Sequence, residues 1–394
     1  MQETVVVSYA RTPFGRLLGT LSSIPAVDLG GMVIKEVIKR AGIDGEIIDY
    51  VFMGMVVPAG MGQIPSRQAT LKAGLSPEIS SDTLNKVCAA SLRTVNIADA
   101  FIKAGEYEVI VAGGMESMSR CPYLVPQGRA GYRMGNGVLV DSMVNDGLWC
   151  PVHDVHMGIH GEMAYTEFGI TREEMDRWSL RSHQLVLKGY KEGKFKEEIM
   201  PVTVPQKKKD PIIFEMDECP RADTSYEVLS KLPPAFKKDG VITAGNAPPV
   251  NDGASALLLM SRKKAEELGL KPLARIVSQG QASKAPPYIS TVPYYAAEKA
   301  LQKAKLTIDD IDLIEVNEAF AAVSLTCMKL GNWPEEKVNV NGGAVAIGHP
   351  IGASGGRILM TLISELRRRK AKYGLATICS GAAQGEATIV EALY

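Results

Sequence analysis

Two stretches of the chain repeat one order of apolar and amphipathic segments. The first runs from the apolar TVVVSYA through DLGGMVIKEVIKRAGI, with its apolar positions at helical spacing, to YVFMGMVV, a helix following Cys88 and the apolar EVIVAGG. The second sets ARIVSQG, YYAAEKALQKAKL, DLIEVNEAF, a helix following Ser354 and LATICSG in the same order. Short apolar runs bounded by turn residues read as buried strands, and apolar positions three and four apart read as helix faces. At one constant offset Ile48-Asp49 pairs with Ile311-Asp312 and Ala90-Ser91 with Ala353-Ser354, which points to internal duplication of one α/β unit. Alternating strands and helices predict β-α-β units, hence two mainly parallel sheets with helices packed around them.

Between the repeats, from about Cys121 to Gly245, the pattern breaks down, and PVTVPQKKKDPIIF has no clean period. An uninterrupted loop of that length is unusual inside a compact domain, so this region reads as an insertion lying over the core. The expected division is a first half of residues 1–120 with 246–270, an inserted loop domain of 121–245 and a second half of 271–394. Lys207 to Lys209 reads as a solvated turn, and Leu366 to Gly374 (LRRRKAKYG) as a cationic helix end before a glycine stop.

Charge and cysteine usage narrow the function classes. Lys plus Arg equals Asp plus Glu at 44 each, so no overall field draws the chain to nucleic acid or an anionic bilayer. No window approaches the roughly 20 apolar residues of a membrane span. The N-terminus passes from MQET into VVVSYA without a basic, apolar, cleavable prefix, so a cytoplasmic protein with no membrane partner is expected. Cys88, Cys121, Cys150, Cys219, Cys327 and Cys379 form no CxxC pair, which fits neither a zinc site nor a disulfide framework.

Four constellations carry possible chemistry. Leu92, Val95, Ala98 and Ile102 mark one face of a helix ended by Gly105, and Cys88 falls at its first turn. Unpaired N–H groups and the helix dipole would there favour a thiolate, lowering the pKa from about 8.5. The thiol is thus a candidate nucleophile, the competing reading being a small apolar residue at a helix start. In NVNGGAVAIGHPIGASGGR, glycines 342, 343, 348, 352, 355 and 356 surround His349, and so few side chains argue for a bare backbone ledge exposing the imidazole rather than for packing. This run is neither a Walker A loop nor a GxGxxG fingerprint. LATICSGAAQGEA ends a strand at Cys379, followed by Gly381, and the duplication would bring Cys88, His349 and Cys379 to one seam. In EVNEAFAA, Glu315, Asn317 and Glu318 are either polar catalytic equipment or helix-capping residues. His153, His156 and His160 share a helical spacing, but Gly158 and Gly161 weaken that helix and no carboxylate cluster accompanies them, so no metal site is expected.

With Cys88, the NEAF tetrad, GHPIGASGGR and the C-terminal cysteine-glycine loop in this order, the chain resembles the thiolases, the family of acetyl-CoA acetyltransferases and 3-ketoacyl-CoA thiolases, from RTPFG at Arg11 to the last strand. The resemblance implies an α/β thiolase fold: duplicated βαβαβαββ halves in a five-layered α-β-α-β-α core, with a loop domain inserted in the first half. It implies that Cys88 becomes acylated, that His349 activates its thiol, and that Cys379 moves the proton at the substrate α-carbon. One oxyanion site would be His349 with a water held by Asn317, the other the backbone N–H groups of Cys88 and Gly381. His156 and Met157 would contact the acyl and pantetheine ends, as in short-chain members, with Ala244, Pro248, Ala319 and Phe320 as further substrate or CoA contacts.

The resemblance further implies acyl-CoA and CoA as partners, CoA thioesters as substrates with no cofactor, and a homotetramer built from tight dimers. Three departures stand out: Ala89 to Ser91 where a small-Ser-Gly run is usual, Ala382 and Ala383 in a loop otherwise rich in glycine, where they would narrow the site, and Pro248 in place of a serine hydroxyl. The expected function is an acetyl-CoA C-acetyltransferase acting by a ping-pong Claisen condensation and its reverse. The alternatives are a degradative thiolase for longer 3-ketoacyl-CoA chains and a non-catalytic acyl-CoA-binding or scaffold protein, which would be expected to lack one of the reacting groups.

Overall fold

The structure, a computed structural model, describes residues 2–394. The first half contains β1 (Thr4–Arg11), α1 (Ala26–Ala41), β2 (Tyr50–Gly54), α2 (Pro65–Lys72), β3 (Ser80–Leu84), α3 (Ala90–Ala104), β4 (Val109–Ser117) and, after the insertion, β5 (Asn251–Ser261). The second half contains β6 (Ala274–Ser283), α4 (Val292–Ala304), β7 (Leu313–Val316), α5 (Ala321–Gly331), α6 (Ser354–Arg369), β8 (Tyr373–Ser380) and β9 (Gln384–Ala392).

The duplication is visible in the pairing. The first half orders its strands β1-β5-β4-β2-β3 and the second β6-β9-β8-β7, with β3 answered only by a parallel bridge between Ile314 and Val338. Each half is parallel at its centre, β2 with β3 and β4 or β7 with β8, and antiparallel where the closing strand β5 or β9 returns. The two expected sheets are not separate, because Val5 pairs with Arg275 and Val6 with Ala274, joining them edge to edge.

The helices form where the apolar spacing placed them. On α3, Leu92, Val95, Ala98 and Ile102 are fully buried, and the helix stops at Gly105, whose φ of 79° is left-handed. Burial of each of the larger three contributes about 1.5–3 kcal/mol. Helices α3 and α6 cross one another and each touches strands of both halves, making the central layer; α1 and α2 cover the first sheet and α4 the second. Helix α6 ends at Lys370 (φ 55°), not at Gly374 as expected. Gly374 lies inside β8, where a Cβ would come within 2.6 Å of Leu366 on α6.

In the insertion, the helix Arg172–Lys191 opens with a capping box between Thr171 and Glu174. The stretch without a clean period is a hairpin, Val202–Gln206 paired with Lys209–Phe214, turning at Lys207-Lys208 as the solvated-turn reading expects. Val202 and Val204 do alternate inward, but the second strand is almost wholly exposed, so its sequence carries no inward period. Among the described residues no helix is long and apolar enough to cross a membrane.

Candidate active site

Cys88 lies in the turn between β3 and α3. The residue before it, Val87, has φ 43°, a strained conformation for a β-branched side chain. Neighbours hold the turn there: Asn85 accepts from the Val87 N–H at 2.9 Å and donates to the Val56 carbonyl at 3.1 Å. The second half grips the same turn, since Ser380 donates to the Lys86 carbonyl and Lys86 Nζ lies 2.6 Å from Glu386.

The expected lowering of the Cys88 pKa does not occur. Burial among Val56, Val57, Met118 and Ile351 pushes the thiol up to about 12, and the Glu116 carboxylate adds to the rise. Desolvation outweighs the dipole because the helix begins only at Ala90 and apolar side chains crowd the thiol.

His349 sits between a single helical turn, Ala344–Ile347, and α6. Its backbone N–H donates to Asn251 Oδ1 at 2.8 Å, and Gly348 takes φ 110° beside that amide, where a Cβ would come within 2.6 Å of Asn251 Nδ2. Ring Nδ1 lies 2.6 Å from Ser354 Oγ and Nε2 lies 3.5 Å from Asn317 Nδ2. Burial, and then the charge of Arg357, push the imidazole down to about 3, so at neutral pH the ring is uncharged.

The glycine run is a packing device, which corrects the ledge reading. His349 is only 7% exposed and the chain from Asn341 to Leu366 is buried throughout. A Cβ on Gly352 would come within 2.6 Å of the Met115 carbonyl, and one on Gly355 within 2.7 Å of Leu92 Cβ on α3. The glycines bring backbones of the two halves together, and the imidazole reaches a cavity as a consequence.

Asn317 follows β7, its Oδ1 3.4 Å from Arg357 Nη2, and Arg357 Nη1 lies 3.3 Å from Glu315. Burial pushes the Glu315 carboxyl up to about 8 against the attraction of Arg357. Glu318 does not reach the cavity. It accepts from Trp178, Ser182, Asn339 and the Val345 N–H, tying the insertion helix to the His349 segment. Cys379 is buried near the end of β8, its pKa raised well above the ordinary value by burial and then by Cys88.

Cys88, His349, Cys379 and Gly381 line one cavity of about 230 Å³, together with His156, Met157, Pro248, Ala319 and Phe320. Asn317 reaches it through the His349 ring. Gly381 stands against Val87, where a Cβ would come within 3.2 Å of Val87 Cγ2. The His156 ring stacks on Phe236 at 4.5 Å, and Phe236 meets Phe320 edge-on at 6.3 Å. Ala244 is exposed and stands outside this lining. Ala382 and Ala383 do not narrow the cavity: they make the β8-β9 turn at φ 56° and 53°, the first exposed and the second buried away from it. His153 and His160 rings meet at 5.3 Å, but no group of three metal-ligating side chains occurs among the described residues.

Phe236, Ser354 and Arg357 were missed as site residues. The last two stand in the quoted histidine motif, and a Ser and Arg one turn apart on a helix between two halves were the available signal; Phe236 lies in the patternless insertion and gave none.

The chain matches the family description "Thiolase, N-terminal domain" over residues 4–263 and "Thiolase, C-terminal domain" over residues 270–392. It is 50% identical over 389 residues to an acetyl-CoA acetyltransferase of Chromobacterium violaceum, covering 99% of each chain. It is 49% identical over 387 residues to one of Pseudomonas aeruginosa, covering 98% of each. The crystal structure of the Bacillus anthracis acetyl-CoA acetyltransferase superposes with a TM-score of 0.98 at 40% identity, over 100% of this chain and 99% of that one.

Proposed function

The chain belongs to the thiolase family, and from that premise we propose that it is an acetyl-CoA C-acetyltransferase, joining two acetyl-CoA into acetoacetyl-CoA and CoA and running the reverse thiolysis. The observation that carries this reading is the convergence of two thiols, an uncharged imidazole and Gly381 on one apolar cavity, from both halves of the chain.

His349 takes the Cys88 proton as the sulfur attacks the thioester carbonyl, whose oxyanion accepts from the Cys88 and Gly381 N–H groups. The carbon–sulfur bond to CoA breaks, and the departing thiolate takes the Cys379 proton. This leaves acetyl-Cys88, an imidazolium and a Cys379 thiolate. That thiolate removes the α-proton of the second acetyl-CoA, and the enolate oxygen is held by the imidazolium and a water on Asn317. The enolate carbon attacks the acetyl group, the bond to Cys88 breaks, and His349 returns the proton. Since burial raises both thiols and lowers the imidazole, the resting groups are neutral, and charge arises only as the proton leaves Cys88 for His349 during attack on the thioester.

His156, Met157, Phe236, Pro248, Ala319 and Phe320 would hold the acyl and pantetheine portions, and the rings closing the wall favour the short chain. Ala244, exposed nearby in sequence, would meet CoA only outside the cavity. Coenzyme A thioesters are the substrates and no resident cofactor is assigned. Tyr123, Val125, Met134, Val138 and Leu139 expose an apolar segment in the insertion, which we assign to subunit contact in a homotetramer. Six free cysteines suit the reducing cytoplasm. The test follows loss of the 3-keto thioester with acetoacetyl-CoA plus CoA, then with a longer 3-ketoacyl-CoA. Turnover of acetoacetyl-CoA is expected; no turnover of either sinks the enzyme reading, and much faster turnover of the long chain sinks the short-chain assignment.

A further inference from the structure

We propose that Ser354 is a positioning residue that fixes the His349 proton on Nδ1 and leaves the Nε2 lone pair free for the Cys88 proton. This rests on the reading of His349 as the base in thioester exchange. Ser354 Oγ lies 2.6 Å from Nδ1 and donates to the Pro350 carbonyl at 2.9 Å. A carbonyl only accepts, so with the hydroxyl hydrogen on Pro350 it is Nδ1 that supplies the hydrogen in the shorter contact.

The opposite side of the ring gives the same answer independently. Asn317 Oδ1 faces Arg357 Nη2 at 3.4 Å, and a guanidinium only donates, which fixes the amide with its NH2 toward Nε2 at 3.5 Å. An N–H on Nε2 would point donor at donor. Every donor from Arg357 through Asn317 and His349 to Ser354 therefore points the same way, and such a chain polarises each bond in it.

A serine also suits the electrostatics better than the carboxylate often found behind a catalytic histidine. A carboxylate would favour the imidazolium and charge the ring in the free enzyme. A neutral oxygen orients the ring without charging it. When Nε2 gains the Cys88 proton, the Nδ1–H bond to Ser354 becomes charge-assisted and strengthens.

The test uses protein with ¹⁵N-labelled histidine, the His349 signal being identified by its loss in His349→Asn. Expected for the wild type at neutral pH is a protonated Nδ1 and a bare Nε2. The reverse tautomer in the wild type overturns the proposal whatever any variant does. Ser354→Ala should slow acylation by about 10–100-fold, the range seen when the partner behind a metal-bound histidine is lost, with KM little changed; Ser354→Thr should restore much of the rate. Unchanged acylation in Ser354→Ala also overturns it. Failure of the wild type to turn over acetoacetyl-CoA strikes the acetyltransferase reading instead, because the ring assignment is read without substrate.

Discussion

Replacing Glu318 by Gln tests whether the acidic residue of the NEAF tetrad is structural. Its Oε1 accepts from Trp178 Nε1 at 2.8 Å and Asn339 Nδ2 at 3.1 Å; its Oε2 accepts from Ser182 Oγ at 2.9 Å and the Val345 N–H at 3.0 Å. All are buried. Glutamine keeps one oxygen for the first pair but sets an NH2 against the second. Ser182 can turn its hydroxyl, whereas the Val345 N–H cannot turn and loses its acceptor. One orphaned buried donor costs about 1–3 kcal/mol, and three bonds that lose their charged acceptor weaken as well, so about 3 kcal/mol of destabilisation is expected. The assay is urea unfolding at fixed protein concentration, since assembly adds to apparent stability. Because Val345 lies just before His349, kcat should fall as well. A loss of stability below about 0.5 kcal/mol, the level of an ordinary surface change, would refute the assignment of Glu318 as the tie between insertion and core.

Cys88→Ala should abolish the acyl-enzyme by mass spectrometry, whereas Cys379→Ala should still acylate from a suitable thioester while losing carbon–carbon bond formation; an acyl adduct in Cys88→Ala would refute the choice of nucleophile. His349 is held uncharged down to about pH 3 while an unfolded histidine takes its proton near 6.5, so its contribution to stability is present above 6.5 and is lost as pH falls toward 3. Between pH 6.5 and 5 the wild type should lose about 1.7 kcal/mol more than His349→Asn, the slope rising toward about 1.4 kcal/mol per pH unit at the lower end, and equal slopes in urea titrations would overturn this. Ala382 is exposed at φ 56°, so Ala382→Gly should raise the unfolding midpoint by the equivalent of about 0.5–1 kcal/mol; a lower midpoint would show that the turn gains nothing from relief of that angle.

The fold was legible because both halves spell the same strand and helix order, and Leu92, Val95, Ala98 and Ile102 are buried as their spacing requires. The residues proposed to react could be picked out because each stands at a strand end or helix start within a distinctive run, and the structure brings them to one cavity. Three things were not. The Cys88 thiol is raised rather than lowered because a sequence shows the helix that follows it but not the apolar side chains packed around it. The hairpin from Val202 to Phe214 escaped because only one of its strands has a buried face. The glycine run was misjudged because a sequence reports a missing side chain without saying what fills the space.

That space decides the relation between the two halves, and Gly355 tests it. Cys88 precedes α3 and His349 precedes α6, so the separation of these helices sets the separation of thiol and imidazole. At Gly355 an added Cβ would run into the Leu92 backbone nitrogen and lie 2.7 Å from Leu92 Cβ, neither of which is the yielding end of a long side chain. Gly355→Ala must therefore move α6 away from α3, although alanine by itself favours a helix. The shift carries His349 from its place, and misplacement by about 1 Å can cost about 100-fold in rate. Expected is a fall in kcat of about that size in a protein that still folds, with acylation by acetoacetyl-CoA affected as strongly as condensation, since both need the same imidazole. Wild-type kcat in Gly355→Ala would mean that the halves can part without disturbing the thiol and the ring, and the glycines would lose the role of setting their distance.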